Sequence, residues 1–208
     1  MTPKDPPSTE ARRLRTVTWI VALATCGLIF DGYDLVVYGA VVSTFLRDPT
    51  HIGNVTPAIA GLLGSYALVG VMVGALLATR VRPTRDMRLL LAGCYLVQAL
   101  GIAIGVWSPS LAGFAIGSVL LGLPFTAITF FAMQEVRRLR PGTAASTMGL
   151  LTAMYGLGQI VGPPLAALLL RTTGDLRAGF TLSLQIAAAA LLLGAAIYAW
   201  MRRTFAQV

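Results

Sequence analysis

The 208-residue chain is predicted to be an all-α integral membrane protein of six transmembrane helices. Three observations carry that prediction. Apolar residues make up 56% of the chain and charged residues only 12%, with a mean hydropathy of +0.77, whereas soluble domains are roughly a quarter charged. Apolar runs long enough to cross a hydrocarbon core, about 20 residues as helix, recur six times. The 16 Lys and Arg residues collect at the ends of those runs. The net charge of +8 is therefore a topology signal and not a nucleic-acid footprint. Alternation of the kind barrel strands need is absent, which leaves helices. Water-soluble enzyme, secreted disulfide scaffold and nucleic-acid binder are excluded at this level.

Residues 1–15 are polar, with three prolines and both charge signs, and read as a disordered tail. The spans follow at about Thr16–Leu46, Pro57–Thr79, Met87–Trp107, Leu111–Gln134, Ala144–Leu170 and Gly179–Met201. They form one membrane domain over 16–208. The first is an uncleaved helix and not a signal peptide: Asp31 and Asp34 interrupt it, and Ala-Thr-Cys is a poor cleavage site. A Trp-Ser-Pro-Ser link after the third span makes the third and fourth antiparallel neighbours. Gly122-Leu-Pro124 should kink the fourth. Thirteen Lys and Arg residues fall on the side of the two termini and three (Arg47, Arg171, Arg177) on the other. The positive-inside rule then puts both termini in the cytoplasm, as an even span count requires. The localisation is the cell (inner) membrane.

Two carboxylates stand where a membrane helix should have none, in Phe30-Asp31-Gly32-Tyr33-Asp34. At about 1.5 Å per residue, Asp31 lies near the bilayer centre, about 15 residues beyond Arg15. A three-residue spacing puts Asp31 and Asp34 on one helix face. Burying them costs several kcal/mol unless they face a cavity or a partner. Two acids so close in a low dielectric should share a raised apparent acidity and exchange protons near neutral pH. Bonding of both to Ser, Thr or Gln on neighbouring helices is the structural alternative. Tyr33, Tyr38 and Phe30 serve equally as a stacking surface for an aromatic solute or as plain packing.

Asp31-Gly-Tyr-Asp34-Leu-Val-Val-Tyr38-Gly, followed by Gly61-Leu-Leu-Gly-Ser-Tyr-Ala-Leu-Val-Gly70-Val-Met-Val-Gly74, resembles the first two helices of the aromatic-acid:proton symporters. These belong to the major facilitator superfamily. The resemblance covers about residues 17–78, and it implies proton-coupled uptake of aromatic carboxylates with Asp31 and Asp34 as the proton-linked acids. Residues 87–203 are similar to the last four helices of another facilitator group, uncharacterised permeases, through Thr147-Met-Gly-Leu-Leu-Thr-Ala-Met-Tyr-Gly-Leu-Gly158-Gln159-Ile-Val-Gly162-Pro163-Pro164. The implied architecture is a facilitator-like half bundle, with residues 80–87 as a junction of two transporter ends. Full facilitators carry two six-helix halves around a central site, so a six-helix chain is expected to work as a homodimer or with a partner half. The loop at 80–88 keeps its basic residues but lacks the glycine-framed Asp of the facilitator loop.

Close helix contact is expected at Gly70/Gly74 and Gly158/Gly162, and a kink at Pro163. Gln159 either lines a solute path or bonds between helices. Glu135, beside Arg137 and Arg138, reads as a solvated or headgroup ion pair. Cys26 and Cys94 read as packing residues. No phosphate loop, redox pair or zinc spacing occurs, so no cofactor or metal is expected. An intramembrane protease lacks its parts: His51 is the only histidine and lies in a loop, and both acids share one helix. The expected function is secondary transport of a small organic, aromatic acid with protons, by Asp31 and Asp34, with Tyr33, Tyr38 and Gln159 along the path. The alternative is a non-transporting remnant or accessory membrane protein. The expected partners are the acid, protons, membrane lipid and a second half, with no nucleic acid.

Overall fold

A computed structural model describes residues 11, 14–15, 17–27, 29, 56–81, 86–108, 110–139, 141–173 and 176–204. Among them the secondary structure is all helical, without a strand: α1 Val17–Gly27, α2 Pro57–Thr79, α3 Arg88–Trp107, α4 Leu111–Gly122, α5 Phe125–Leu139, α6 Ala144–Thr173 and α7 Leu176–Thr204. A single 3-10 turn, Pro141–Thr143, joins α5 to α6. Four stretches are long and apolar enough to cross a membrane: Pro57–Thr79, Arg88–Trp107, Leu111–Arg138 and Thr181–Arg203. Of the first expected span, 16–46, only the part through Gly27 and Ile29 is described.

Local chemistry fixes the helix ends. Thr56 caps α2, its hydroxyl accepting from the Ile59 N–H at 3.3 Å, with Pro57 in the first turn where its missing N–H costs nothing. Ser110 caps α4 by accepting from the Gly113 N–H at 3.0 Å. The expected break appears between α4 and α5, at Leu123 and Pro124. Pro124 has no N–H to offer the preceding turn, while the Leu123 N–H still reaches the Val119 carbonyl at 3.0 Å. The ladder resumes with the Ile128 N–H on the Pro124 carbonyl at 2.8 Å. α6 continues through Pro163 and Pro164 to Thr173 as one 30-residue helix.

Packing follows the small residues. Parallel helices α2 and α4 meet where Gly70 lies against the Val119 carbonyl, Gly74 against Leu123 and Gly122 against the Ala67 carbonyl. Antiparallel α3 and α4 meet where Gly101 and Gly117 face each other's carbonyls. In α3 the buried face is Arg88, Leu91, Ala92, Tyr95, Gln98, Ala99 and Ile102, a spacing of three and four residues that turns one stripe inward. It packs on α7, where the Tyr95 and Tyr198 rings stand edge to face with centroids 5.5 Å apart. The Tyr95 hydroxyl donates to the Leu23 carbonyl of α1 at 2.8 Å. The core gathers α1, α3, α5, α6 and α7 around Ile20, Leu91, Tyr95, Ile128, Leu151 and Tyr198. Large apolar side chains on the outer surface, such as Leu68, Leu76, Ile160 and Leu193, are exposed, as lipid contact demands.

One end of the bundle collects the basic residues. Arg88 at the start of α3 donates to the Met201 carbonyl at the end of α7 at 3.1 Å, so those two helices run antiparallel from a shared level. α2 ends one short connection before α3, and α4 with α5 runs parallel to α2, so Arg80, Arg137 and Arg138 lie at the same end. The α1 residue Leu23 meets Tyr95 near that end, and Ile29 meets Gly158 in the middle of α6. Arg15 therefore enters from the same end.

Candidate functional site

The expected acids Asp31 and Asp34, and the aromatics Tyr33 and Tyr38, lie outside the described residues. The approach to them is described. Ile29, two positions before Asp31, presses its backbone against Gly158, where any side chain would overlap the Ile29 carbonyl and its Cα, at 2.7 Å from the latter. Gly158 is at the midpoint of α6, about 21 Å from its first residue at about 1.5 Å per residue. The segment that precedes the acidic pair thus touches α6 at the position expected to permit close contact. Gly162, one turn on, is also buried.

Gln159 follows Gly158 and is half-buried, with no hydrogen-bond partner among the described residues. A half-buried amide that makes no bond among the described residues is suited to bonding a polar solute or water. Between the two expected roles of Gln159, the described contacts contain no interhelical bond by it. One turn earlier Tyr155 stands edge to face with Phe125, centroids 5.9 Å apart. Phe125 opens α5 just beyond the Pro124 break. Thr126, next along, directs its hydroxyl to the Val71 carbonyl of α2 at 3.4 Å. The broken helix, α2, α6 and the approach to Asp31 are therefore neighbours. Gly70 and Gly74 act elsewhere, as the α2–α4 seam.

Several buried polar residues were not singled out from the sequence. Arg88, Gln98 and Ser183 are buried, and so is Glu135. The expectation of a solvated Glu135 is corrected. Its ion pair with Arg138 forms, with Nη2 to Oε1 at 2.6 Å and Nε to Oε2 at 3.1 Å, but the carboxylate is fully buried while the arginine reaches outward. The signal was available: Glu135 sits three and four residues from Ala132 and Phe131, on the apolar face of α5 that faces the core. Arg88 bonds Asp86 Oδ1 at 2.9 Å through Nε, and its backbone N–H bonds the same oxygen at 3.0 Å. That pair serves the junction of α3 and α7 and not the mid-height site. Of the two cysteines, Cys26 is exposed and Cys94 half-buried, so Cys26 does not pack internally. Among the described residues no group of three His, Cys, Asp or Glu is placed to hold a metal ion.

Comparison with known proteins agrees with this architecture. A benzoate transport protein of Acinetobacter baylyi is 41% identical over 58 residues, 28% of this chain and 12% of the relative. A gentisate transporter of Corynebacterium glutamicum is 30% identical over 83 residues, 40% of this chain and 18% of the relative. The chain thus spans less than a fifth of the length of these curated relatives. No solved structure matches. A family model described as "Uncharacterised MFS-type transporter YbfB" matches residues 3–199. Members of this family are transporters and not enzymes. With nearly the whole chain inside that match, the protein belongs to this family of major facilitator transporters.

Proposed function

We propose that the protein is a proton-coupled secondary transporter of a small aromatic acid. It would have six spans and lie in the cell (inner) membrane with the basic end and both termini in the cytoplasm. Asp31 and Asp34 exchange the proton, Gln159 bonds the solute, and Tyr33 and Tyr38 flank it. The observation that supports this reading is the contact of Gly158 with Ile29, two positions before Asp31, with Gln159 the next residue of α6 and without a hydrogen bond among the described residues. The benzoate and gentisate transporters support the solute class. A single set of six helices encloses half of a facilitator cavity, so the working unit is a homodimer or includes a partner half.

The test is uptake of radiolabelled benzoate, gentisate and aliphatic acids into proteoliposomes under an imposed pH gradient. Asp31→Asn and Asp34→Asn are compared with wild type at matched reconstitution. Uptake that requires the gradient and falls at least tenfold in either variant supports the proposal. Well-folded wild-type protein that takes up none of the acids sinks it and leaves a non-transporting accessory protein as the better reading.

A further inference from the structure

Among the described residues, the basic end of the bundle carries more positive charge than the carboxylates there neutralise. Asp86 and Glu135 are the two carboxylates among the described residues, and both are taken: Asp86 by Arg88 and Glu135 by Arg138. Arg15, Arg80, Arg137, Arg202 and Arg203 are exposed at the same end and have no ion-pair partner among the described residues. They stand on the start of α1 and the ends of α2, α5 and α7, four helices held together there by Ile20, Ala78, Val136 and Met201. The opposite end presents one exposed arginine among the described residues, Arg171.

The tryptophans give the level of this charge relative to the bilayer. The chain has three, and all are exposed close to helix ends: Trp19 and Trp200 at the basic end and Trp107 at the other. Indole rings favour the headgroup boundary. Arg15 lies four residues outward of Trp19 and Arg203 three outward of Trp200. At about 1.5 Å per residue that is roughly 5–6 Å, which brings the guanidinium groups to the lipid phosphates. Guanidinium forks match phosphate oxygens in pairs.

We propose that this end is a binding surface for anionic phospholipid headgroups, with Arg15, Arg80, Arg137, Arg202 and Arg203 as its contacts. The charge excess at one end, its lack of ion-pair partners among the described residues and its position one turn beyond the indole boundary all call for a fixed layer of negative charge. The anionic lipid leaflet supplies it. This surface is independent of any transported solute.

The test uses the full chain in bilayers of phosphatidylcholine with spin-labelled phosphatidylglycerol or phosphatidylcholine, reading the protein-immobilised lipid fraction by electron paramagnetic resonance. Wild type should favour phosphatidylglycerol by about fivefold or more, the ratio expected from one well-placed arginine at an anionic surface. The variant with all five contacts changed, Arg15→Gln/Arg80→Gln/Arg137→Gln/Arg202→Gln/Arg203→Gln, should approach parity. The corresponding variant with Lys at the five positions should keep most of the preference, and Arg171→Gln should keep all of it. Parity in wild type overturns the proposal, as does full preference in the Gln variant. Loss in both Gln and Lys variants, or displacement by inorganic phosphate at fixed ionic strength, overturns it too.

Discussion

Replacing Gly74 by alanine isolates the energy of the α2–α4 seam when it is measured against the same change at Gly61. Both glycines lie in α2. An added Cβ at Gly61 meets nothing within 4 Å among the described residues. At Gly74 it would overlap the Leu123 carbonyl, with the carbonyl carbon at 2.7 Å and Cα at 3.1 Å. Those are backbone atoms, and no rotamer change moves them aside, so α2 and α4 must separate. Forced overpacking of this kind costs about 1–3 kcal/mol. Alanine gains about 0.5–1 kcal/mol over glycine in a helix interior, in both variants. Because that gain is common to the pair, the difference between them reads the clash alone. For a chain of this size, each kcal/mol shifts a melting temperature by about 2–4 °C. Gly61→Ala should therefore match or exceed wild type in detergent, and Gly74→Ala should melt about 4–8 °C below Gly61→Ala for a clash of about 2 kcal/mol. Circular dichroism at a helix band follows both transitions. Equal melting temperatures would mean that α2 and α4 do not approach through Gly74, and the argument from the glycine pattern to the seam would fail.

Two further outcomes test the buried polar contacts. Arg88→Met removes the guanidinium from Asp86 and from the Met201 carbonyl, and should destabilise by about 3–5 kcal/mol because a largely buried ion pair is broken. Arg88→Lys, which lacks the fork, should recover only part of this, and thermal unfolding of Arg88→Met at the wild-type temperature would refute the junction of α3 with α7. Tyr95→Phe removes the hydroxyl bond to the Leu23 carbonyl, which keeps its helix donor, and should cost about 0.5–1.5 kcal/mol. Hydrogen exchange should rise in α1, and unchanged protection there would show that α1 is not held through Tyr95.

Elements with strong local signals were legible without coordinates. The link at 107–110 forces an antiparallel turn because four residues cannot re-cross a membrane, and α3 and α4 do pack antiparallel. Pro124 lacks a donor wherever it stands, so the break between α4 and α5 follows from composition alone. Arg88 was legible only as one more cation in a basic loop. Its bond to Met201 joins residues 113 positions apart, and nothing in a local window encodes that. Glu135 failed for a related reason. Sequence proximity to Arg137 and Arg138 argued for a headgroup position, but the face on which a residue falls decides its burial, and the core side of α5 claimed the carboxylate.

The candidate site divides along the same physical line. Gly158 was readable as a contact point because a small residue in an apolar helix has few other uses; its partner was not, since every neighbouring helix presents carbonyls. Ile29 as that partner makes the site economical in residues. The smooth α6 surface at Gly158 allows the Ile29 backbone to sit close, and Gln159 is the next position. A bulky residue at 158 would push α6 and the Ile29 segment apart. Contact and polarity are thus set by adjacent positions, 158 and 159, on one helix. For that reason a loss of solute binding in a Gly158 variant is to be read as lost geometry, and one in a Gln159 variant as lost hydrogen bonding.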